Sequence, residues 1–464
     1  MSKRVKLIGL IPLMLLFTFV FTYTNTYAAT AKPAATSTAK ATATAKAKAT
    51  ATAKATAKAT ATAKPTATAT AKPTATAAPT ATTNASGSAV SDFSGAKNAI
   101  IAAYKSYATT VDVSKYNLNY ETQYAQMKEM MSEIVNYTPY LFFTGTEYKV
   151  SRNSKTNIIV TISLGYSEEY LNEDGSVKKK KIKKDTAKID DVVTKVKGLI
   201  TSSMTKVEKA LIIHDYIVDK TAYTGSFDKH VWSRELGALV KKKANSEGYS
   251  LAFKLLMDAV DVTNEIVTSD DMVHQWNKVK IGKAWYNVDC AWDDPIDSLT
   301  NKNQFGLIKH ENFFCSDNAF AANGHTGFID EDYPTKVKYD KKFWHNVTSR
   351  IFYHNSKWMY MGAKGIVERT KLLDKEFKII YNVEGECMVE YTSNLYYFLY
   401  NNTLYLYNYS SNVTTPIWKC SEHYGSDFKL TQIKCVKMSV KYRVFDSTQV
   451  KEGSLQMLKS GLMA

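Results

Sequence analysis

The stretch His274-Gln275-Trp276-Asn277-Lys278-Val279-Lys280-Ile281, followed by Gly282-Lys283 and then Ala284 to Trp292, admits few folds. Two strand-forming runs separated by two residues, the first a glycine, make a hairpin whose short loop fixes the register. Ile281 then faces Ala284, Trp276 faces Asp289 and His274 faces Ala291. Side chains alternate along a strand, and a slip of one residue would turn all of them over. His274 and Asp289 therefore share one face as diagonal neighbours, roughly 7 Å apart at the backbone. An imidazole within reach of a carboxylate is an oriented general base.

Upstream, Asn245-Ser246 stands at the start of a helix expected to run to Val260, with Tyr249, Phe253, Leu256 and Val260 on its buried stripe. A hydroxyl at a helix N-terminus serves either as an N-cap or as a nucleophile. A strand is expected from Val262 to Val267. Cys290 adjoins Asp289 and so points to the opposite face, which reads as a buried structural thiol rather than a nucleophile. Asp293, Asp294 and Asp297 lack the glycine and the distal glutamate of an EF-hand. No metal and no cofactor is expected.

Elsewhere the pattern predicts helices over Asp92–Thr109, Tyr120–Val135 and Asp190–Ser202, and strands over Tyr148–Val150 and Asn157–Tyr166. The basic run Lys178 to Lys184 reads as a solvated strand edge. Thr205-Lys206-Val207-Glu208 has the layout of a capping box, and the helix behind it carries His214 on its apolar face as a hydrogen-bonded core histidine. From about Phe343 the chain is aromatic and strand-like. Ile351 to Tyr360 resembles Leu395 to Tyr407 about 46 residues on, and a weaker third pair spans Thr431–Val436 and Ser439–Phe445. A small antiparallel sheet, packed as a sandwich or partial propeller, is expected there. Tyr405, Tyr407 and Tyr409 share a strand face suited to packing, or to stacking on sugar rings.

The net charge of +16 suggests nucleic acid until its distribution is considered. Eleven of the positive charges fall in the first 90 residues, which contain no acid, leaving +5 for residues 91–464. Nucleic acid is therefore not an expected partner. Met1 to Lys6 is basic, Leu7 to Tyr23 is apolar, and Thr26-Tyr27-Ala28 supplies small residues before a cleavage point, the three-part layout of a secretory signal. Residues 29–90 repeat Ala, Thr, Lys and Pro with almost nothing to bury, so a disordered tether is expected. It resembles the spacers that hold Gram-positive surface proteins off the membrane. Cys290, Cys315, Cys387, Cys420 and Cys435 are odd in number and widely spaced. They read mostly as buried free thiols, with one disulfide among the last three left open.

The residues Asn245-Ser246-Glu247-Gly248-Tyr249, His274-Gln275-Trp276-Asn277 and Trp285-Tyr286-Asn287-Val288-Asp289-Cys290-Ala291-Trp292-Asp293-Asp294-Pro295 resemble, in order and spacing, the three motifs of the transglutaminase-like superfamily. The likeness to its bacterial secreted branch extends from about Ser91 through Ile213-His214-Asp215, Phe313-Phe314-Cys315, His325 and Pro334. It implies a papain-like α+β fold with a Cys-His-Asp triad, in which a thiolate attacks an amide carbonyl. His274 and Asp289 match two members. The cysteine position holds Ser246.

The expected organisation is α+β: a signal peptide (1–28), a disordered linker (29–90), a transglutaminase-like domain (91–340) and a small all-β accessory domain (341–464). The triad positions are Ser246, His274 and Asp289. A serine hydroxyl is far less acidic than a thiol, whose free pKa is about 8.5. The expectation is therefore an exported, catalytically degenerate domain that binds protein, peptide or cell-wall polymer, touching membrane only through an uncleaved N-terminal segment. The alternative is an active Ser/His/Asp acyltransferase or amide hydrolase.

Overall fold

The computed structural model describes residues 90–297, 300–328, 333 and 335–463, together with a backbone strand at 17–21. The segments expected to be signal and tether, and Pro334, otherwise lie outside the described residues. The first layer contains β1 (Phe17–Phe21), α1 (Phe93–Lys105), β2 (Thr110–Asp112), α2 (Tyr124–Tyr137), β3 (Tyr148–Arg152) and β4 (Ile159–Ser163), with sheet order β1-β3-β4-β2. Asp92 caps α1, its Oδ1 accepting from Gly95 N at 2.7 Å, and Ala96, Ile100 and Tyr104 are buried. The helix stops short of Thr109 because Tyr107 takes a left-handed conformation, φ 61°.

The lysine run is the first turn of a helix, α3 (Lys179–Lys197), and not a strand edge. Ile182, Asp185, Ile189 and Val196 recur on its buried face, so the helical period runs straight through the lysines. Lys181 and Lys188 fold over Asp185 at 3.1 and 2.7 Å. Lysine is a good helix former, and its charge does not decide between strand and helix.

The capping box at Thr205 forms as expected and opens α4 (Lys206–Lys220). Ten consecutive-to-near residues of α4, from Val207 to Val218, are buried, so this helix is covered all round. After the short parallel pair β5 (Ala222–Tyr223) and β6 (Lys243–Ala244) comes α5 (Ser246–Asp258). The next sheet is built from β7 (Asn264–Ser269), β8 (His274–Ile281), β9 (Ala284–Val288) and β10 (Phe313–Cys315), in order β10-β9-β8-β7. The hairpin has the expected register, Ile281 opposite Ala284 through Asn277 opposite Val288, and Gly282 turns at φ 64°.

The C-terminal part is three successive antiparallel sheets and not one: β11–β14 within 352–382, β15–β18 within 388–419 and β19–β21 within 429–456. Turns at Asn355-Ser356 and Asn401-Asn402, with both residues at positive φ, join the anticipated hairpins. Alternate faces of the first two sheets pack on different neighbours. Trp358, Tyr360 and Val367 join the core of the α+β part, continuous across Trp344 and Val347. Met359 and Ile366 meet Tyr396, Phe398 and Tyr407. Tyr397 and Leu399 meet Ile433, Val440 and Val444. Tyr407 is buried, Tyr405 stacks on Phe398 with centroids 5.3 Å apart, and Tyr409 donates to Glu368 at 2.5 Å, so the tyrosine face is spent on packing. Loop 303–307 reaches back into this region: Arg443 donates to Asn303 O at 2.6 Å and Cys387 Sγ to Gly306 O at 3.1 Å. All five cysteines are free thiols, four of them buried.

A buried charged cluster ties these parts together. His214 donates from Nδ1 to Asp215 at 2.9 Å and from Nε2 to Asp293 at 3.1 Å. His310 donates to the same Asp215 oxygen at 2.9 Å and to Val347 O, and Ile351 N donates to the other Asp215 oxygen. His214 is thus a core histidine as expected, but with two acidic partners, one of them 79 residues away. With a carboxylate at each nitrogen, the ring must carry both protons. Burial opposes that cation, yet the bonds to Asp215 and Asp293 outweigh burial and raise its pKa to about 9. Burial also opposes charge on Asp215, but His310 and His214 outweigh it and hold this carboxyl well below the usual range.

Two outcomes follow for stability. A raised histidine contributes fully below its ordinary 6.5 and loses that contribution as pH rises through about 9; the depressed Asp215 contributes fully above its ordinary 3.8 and loses it on acidification. Guanidinium titrations are therefore expected to show stability falling between pH 6.5 and 9 by about 3 kcal/mol, at about 1.36 kcal/mol per pKa unit, with the slope absent in His214→Gln. Independently, a Cβ on Gly248 would sit 2.4 Å from Trp232 O and 3.0 Å from Arg234 O. The variant Gly248→Ala is expected to lose about 1–3 kcal/mol in the same titration.

Candidate functional site

The three triad positions come from three elements. Ser246 is the first residue of α5, and the N-cap is Asn245, whose side chain accepts from Gly248 N at 3.3 Å. The capping role expected as one reading of Ser246 therefore falls to its neighbour. This leaves the Ser246 side chain, 3% exposed, beside a small pocket that it shares with Glu247, Asp270, Val273, His274 and Gln275. Water-accessible space in the pocket is about 40 Å³.

His274 is the first residue of β8 and Asp289 follows the last residue of β9. The ring donates from Nε2 to Asp289 Oδ2 at 2.6 Å, as the hairpin register demands. Its Nδ1 is then the nitrogen left for the pocket. Before it, Val273 sits at φ 47°, a costly conformation for a β-branched residue, which turns the chain sharply into the strand. Trp276 and Trp292 flank the His274 ring at 5.8 and 5.4 Å between centroids.

Asp289 has a second imidazole that spacing did not announce. His325 donates from Nε2 to the same Oδ2 at 3.0 Å, while Oδ1 accepts from Ala291 N and Trp292 N at 2.9 and 3.0 Å. The His325 ring lies between Phe320 and Trp292, with centroids 3.4 and 4.1 Å away, and its Nδ1 is buried without a partner. Burial works against charge on Asp289, but His274 and His325 outweigh it and keep the carboxyl far below its ordinary range. His325 lies 36 residues beyond Asp289, so no local pattern brings the two together.

Neighbouring groups have other work. Burial pushes the Cys290 thiol well up, and Asp289, Asp293 and Asp215 push it further, so it is no thiolate. Asp293 accepts from Asn312 N and Nδ2 as well as from His214. Asp294 accepts from Tyr249 OH at 2.5 Å and from Tyr223 N at 3.1 Å, and Asp297 accepts from Thr300 N and Oγ1 at 2.8 Å each. These aspartates shape the loop after the hairpin. Burial raises the Glu247 carboxyl, against a hydrogen bond from Ser233 and the nearby Arg234.

Two triplets, His274/Asp289/His325 and His214/Asp215/His310, have donor atoms within 4.8 Å of one another, close enough to be weighed as metal ligands. In both, imidazole N–H and backbone N–H groups already occupy the carboxylate oxygens. The chemistry on display is that of proton-sharing imidazole–carboxylate clusters. Near Ser246 this provides a held base, while no hydrogen bond joins the Ser246 hydroxyl to His274 among the described residues.

No family model matches the chain, and no curated protein matches it. Among solved structures it is similar to a TGase crystal structure, at 12% identity and TM-score 0.21, over 38% of this chain and 49% of that one. It is also similar to the extracellular domain of a B. thetaiotaomicron two-component system, at 12% identity and TM-score 0.21, over 41% of this chain and 30% of that one. The chain thus spans about half the length of the first and less of the second.

Proposed function

We propose that this chain is an exported or cell-surface protein whose transglutaminase-like cleft binds peptide, protein or cell-wall polymer at Ser246 without turning it over. The observation that carries the reading is the uncoupled hydroxyl. His274 is fully engaged with Asp289 at 2.6 Å, yet Ser246 gives it no hydrogen bond. A thiol loses its proton readily and can wait as thiolate, whereas a serine needs the base at the moment of attack. A base–carboxylate pair without an engaged hydroxyl holds the shape of the cleft and does not activate the serine.

A second reading keeps one observation of its own. The His274–Asp289 pair is intact and buried, the orientation that a Ser/His/Asp acyltransferase or amide hydrolase requires. One experiment separates the two. On the binding reading, folded wild-type protein incubated with a fluorophosphonate stays unlabelled, and His274→Ala sediments with purified peptidoglycan or retains peptide as well as the wild type does. Stoichiometric labelling that disappears in Ser246→Ala overturns that reading and establishes the serine as a nucleophile.

A further inference from the structure

A second cavity lies where the α+β part meets the sheets, with about 100 Å³ of water-accessible space. Charged residues from four segments line it. Asp219 and Lys220 close α4, Arg350 leads into β11 (Phe352–His354), Glu390 belongs to β15 (Met388–Thr392) and Lys434 to β19 (Lys429–Val436). Each carboxylate is already held. Asp219 takes Lys220 at 2.6 Å, and Glu390 takes His354 at 2.9 Å.

Two cations are left over. The Arg350 guanidinium lies 3.9 Å from Asp219 Oδ2, too far for a hydrogen bond, and among the described residues it donates none. Its side chain is only 24% exposed, and it stands 5.8 Å from the centroid of the Phe352 ring. Lys434 is half-buried, and among the described residues its ammonium has neither a hydrogen bond nor an ion pair. A guanidinium offers a rigid fork of N–H donors, and leaving it idle in a partly buried place forgoes the stronger, charge-assisted class of hydrogen bond. The surroundings are electropositive: burial, then Lys220 and Lys195, push the Lys242 ammonium down to about 8, with Lys434 adding to them and Asp219 opposing.

We propose that this cavity binds a phosphate group, as the free ion or as a phosphate monoester, with Arg350 and Lys434 as its two cationic contacts. Two unpaired positive charges match a phosphate dianion, whereas a carboxylate brings one charge. The guanidinium fork suits phosphate oxygens taken in pairs. At about 10–15 Å³ for one water-sized sphere, the space admits a group of several oxygens. Buried Phe352 and Met388 on its wall keep the local dielectric low, which strengthens the attraction. The cavity shares no lining residue with the Ser246 pocket. Its charged residues meet only when α4, the entry to the first sheet, and the second and third sheets are in place, so an anion held there stabilises the folded chain.

The test titrates the full chain with inorganic phosphate and with glycerol 3-phosphate, read by calorimetry and by the rise in Tm, against sodium chloride at equal ionic strength. Phosphate is expected to bind where chloride does not, and acetate is expected to bind more weakly. Arg350→Gln is expected to weaken phosphate about tenfold or more, the loss of one hydrogen bond to a charged group. Lys434→Gln removes a charge that is tied to nothing else. It is expected to weaken binding about threefold, as for a half-exposed charge pair, and to leave the Tm without phosphate unchanged. The variant Lys180→Gln, at an exposed lysine of α3, is expected to bind as the wild type does.

Binding of glycerol 3-phosphate supports a monoester as the occupant, and binding of inorganic phosphate alone supports the free ion. No binding beyond the chloride control would overturn the proposal. So would acetate held as tightly as phosphate, or an equal loss in Lys180→Gln, which marks diffuse charge. Should Arg350→Gln fail to fold, Lys434→Gln decides, and unchanged affinity there overturns the proposal. None of these results depends on what Ser246 does.

Discussion

The site depends on a single pairing constraint, the register of the β8–β9 hairpin. With Ile281 opposite Ala284, the even positions of β8 and the odd positions of β9 look to one side. That side receives His274 on Asp289, Trp276 on Asn287 and Lys278 on Asp317, at 2.6, 3.1 and 3.2 Å. The other side receives Asn277, which donates to Ser250 O of α5 at 3.2 Å. A shift of one residue would exchange these two sets at once. The turn at Gly282, far from the chemistry, is what sets the distance between base and carboxylate.

That constraint explains which parts of the site could be read from the residues. The His274–Asp289 contact follows from a two-residue turn and alternation, both local. The place of Ser246 at a helix start follows from a local pattern too, although the cap itself is one residue earlier, on Asn245. His325 is among the residues of the family likeness, but its contact with Asp289 was hidden because it runs through the packing of Phe320 and Trp292, which no periodicity encodes. The His214 cluster was hidden for the same reason: its second carboxylate is 79 residues on, and Asp215 meets a backbone amide 136 residues away. Short-range rules reach a neighbour on the same hairpin, and a buried charge finds its partner wherever the fold closes.

The two misread segments fail in an instructive way. In α3 the lysines drew attention to charge, while the signal lay in Ile182, Ile189 and Val196, seven apart on one face. In the C-terminal part the hairpins were legible from paired aromatic runs and Asn-rich turns, but the number of sheets was not. Strands buried on both faces lose the alternation that marks an outer surface. β16 (Leu395–Tyr400) shows this: Tyr396 and Phe398 enter one core while Tyr397 and Leu399 enter another. The high tyrosine content is the material of that double burial, with hydroxyls directed to partners such as Ser393 O and Gly461 O.

Loop 303–307 ties the sheets to the loop that follows the hairpin. That loop leaves the Asp293–Asp294 turn, whose carboxylates hold α4 and Tyr249, and runs on to contacts with Arg443 and the Cys387 thiol. A segment anchored at both ends transmits strain, so a displacement of the third sheet pulls on the same stretch of chain that the buried aspartates hold in place.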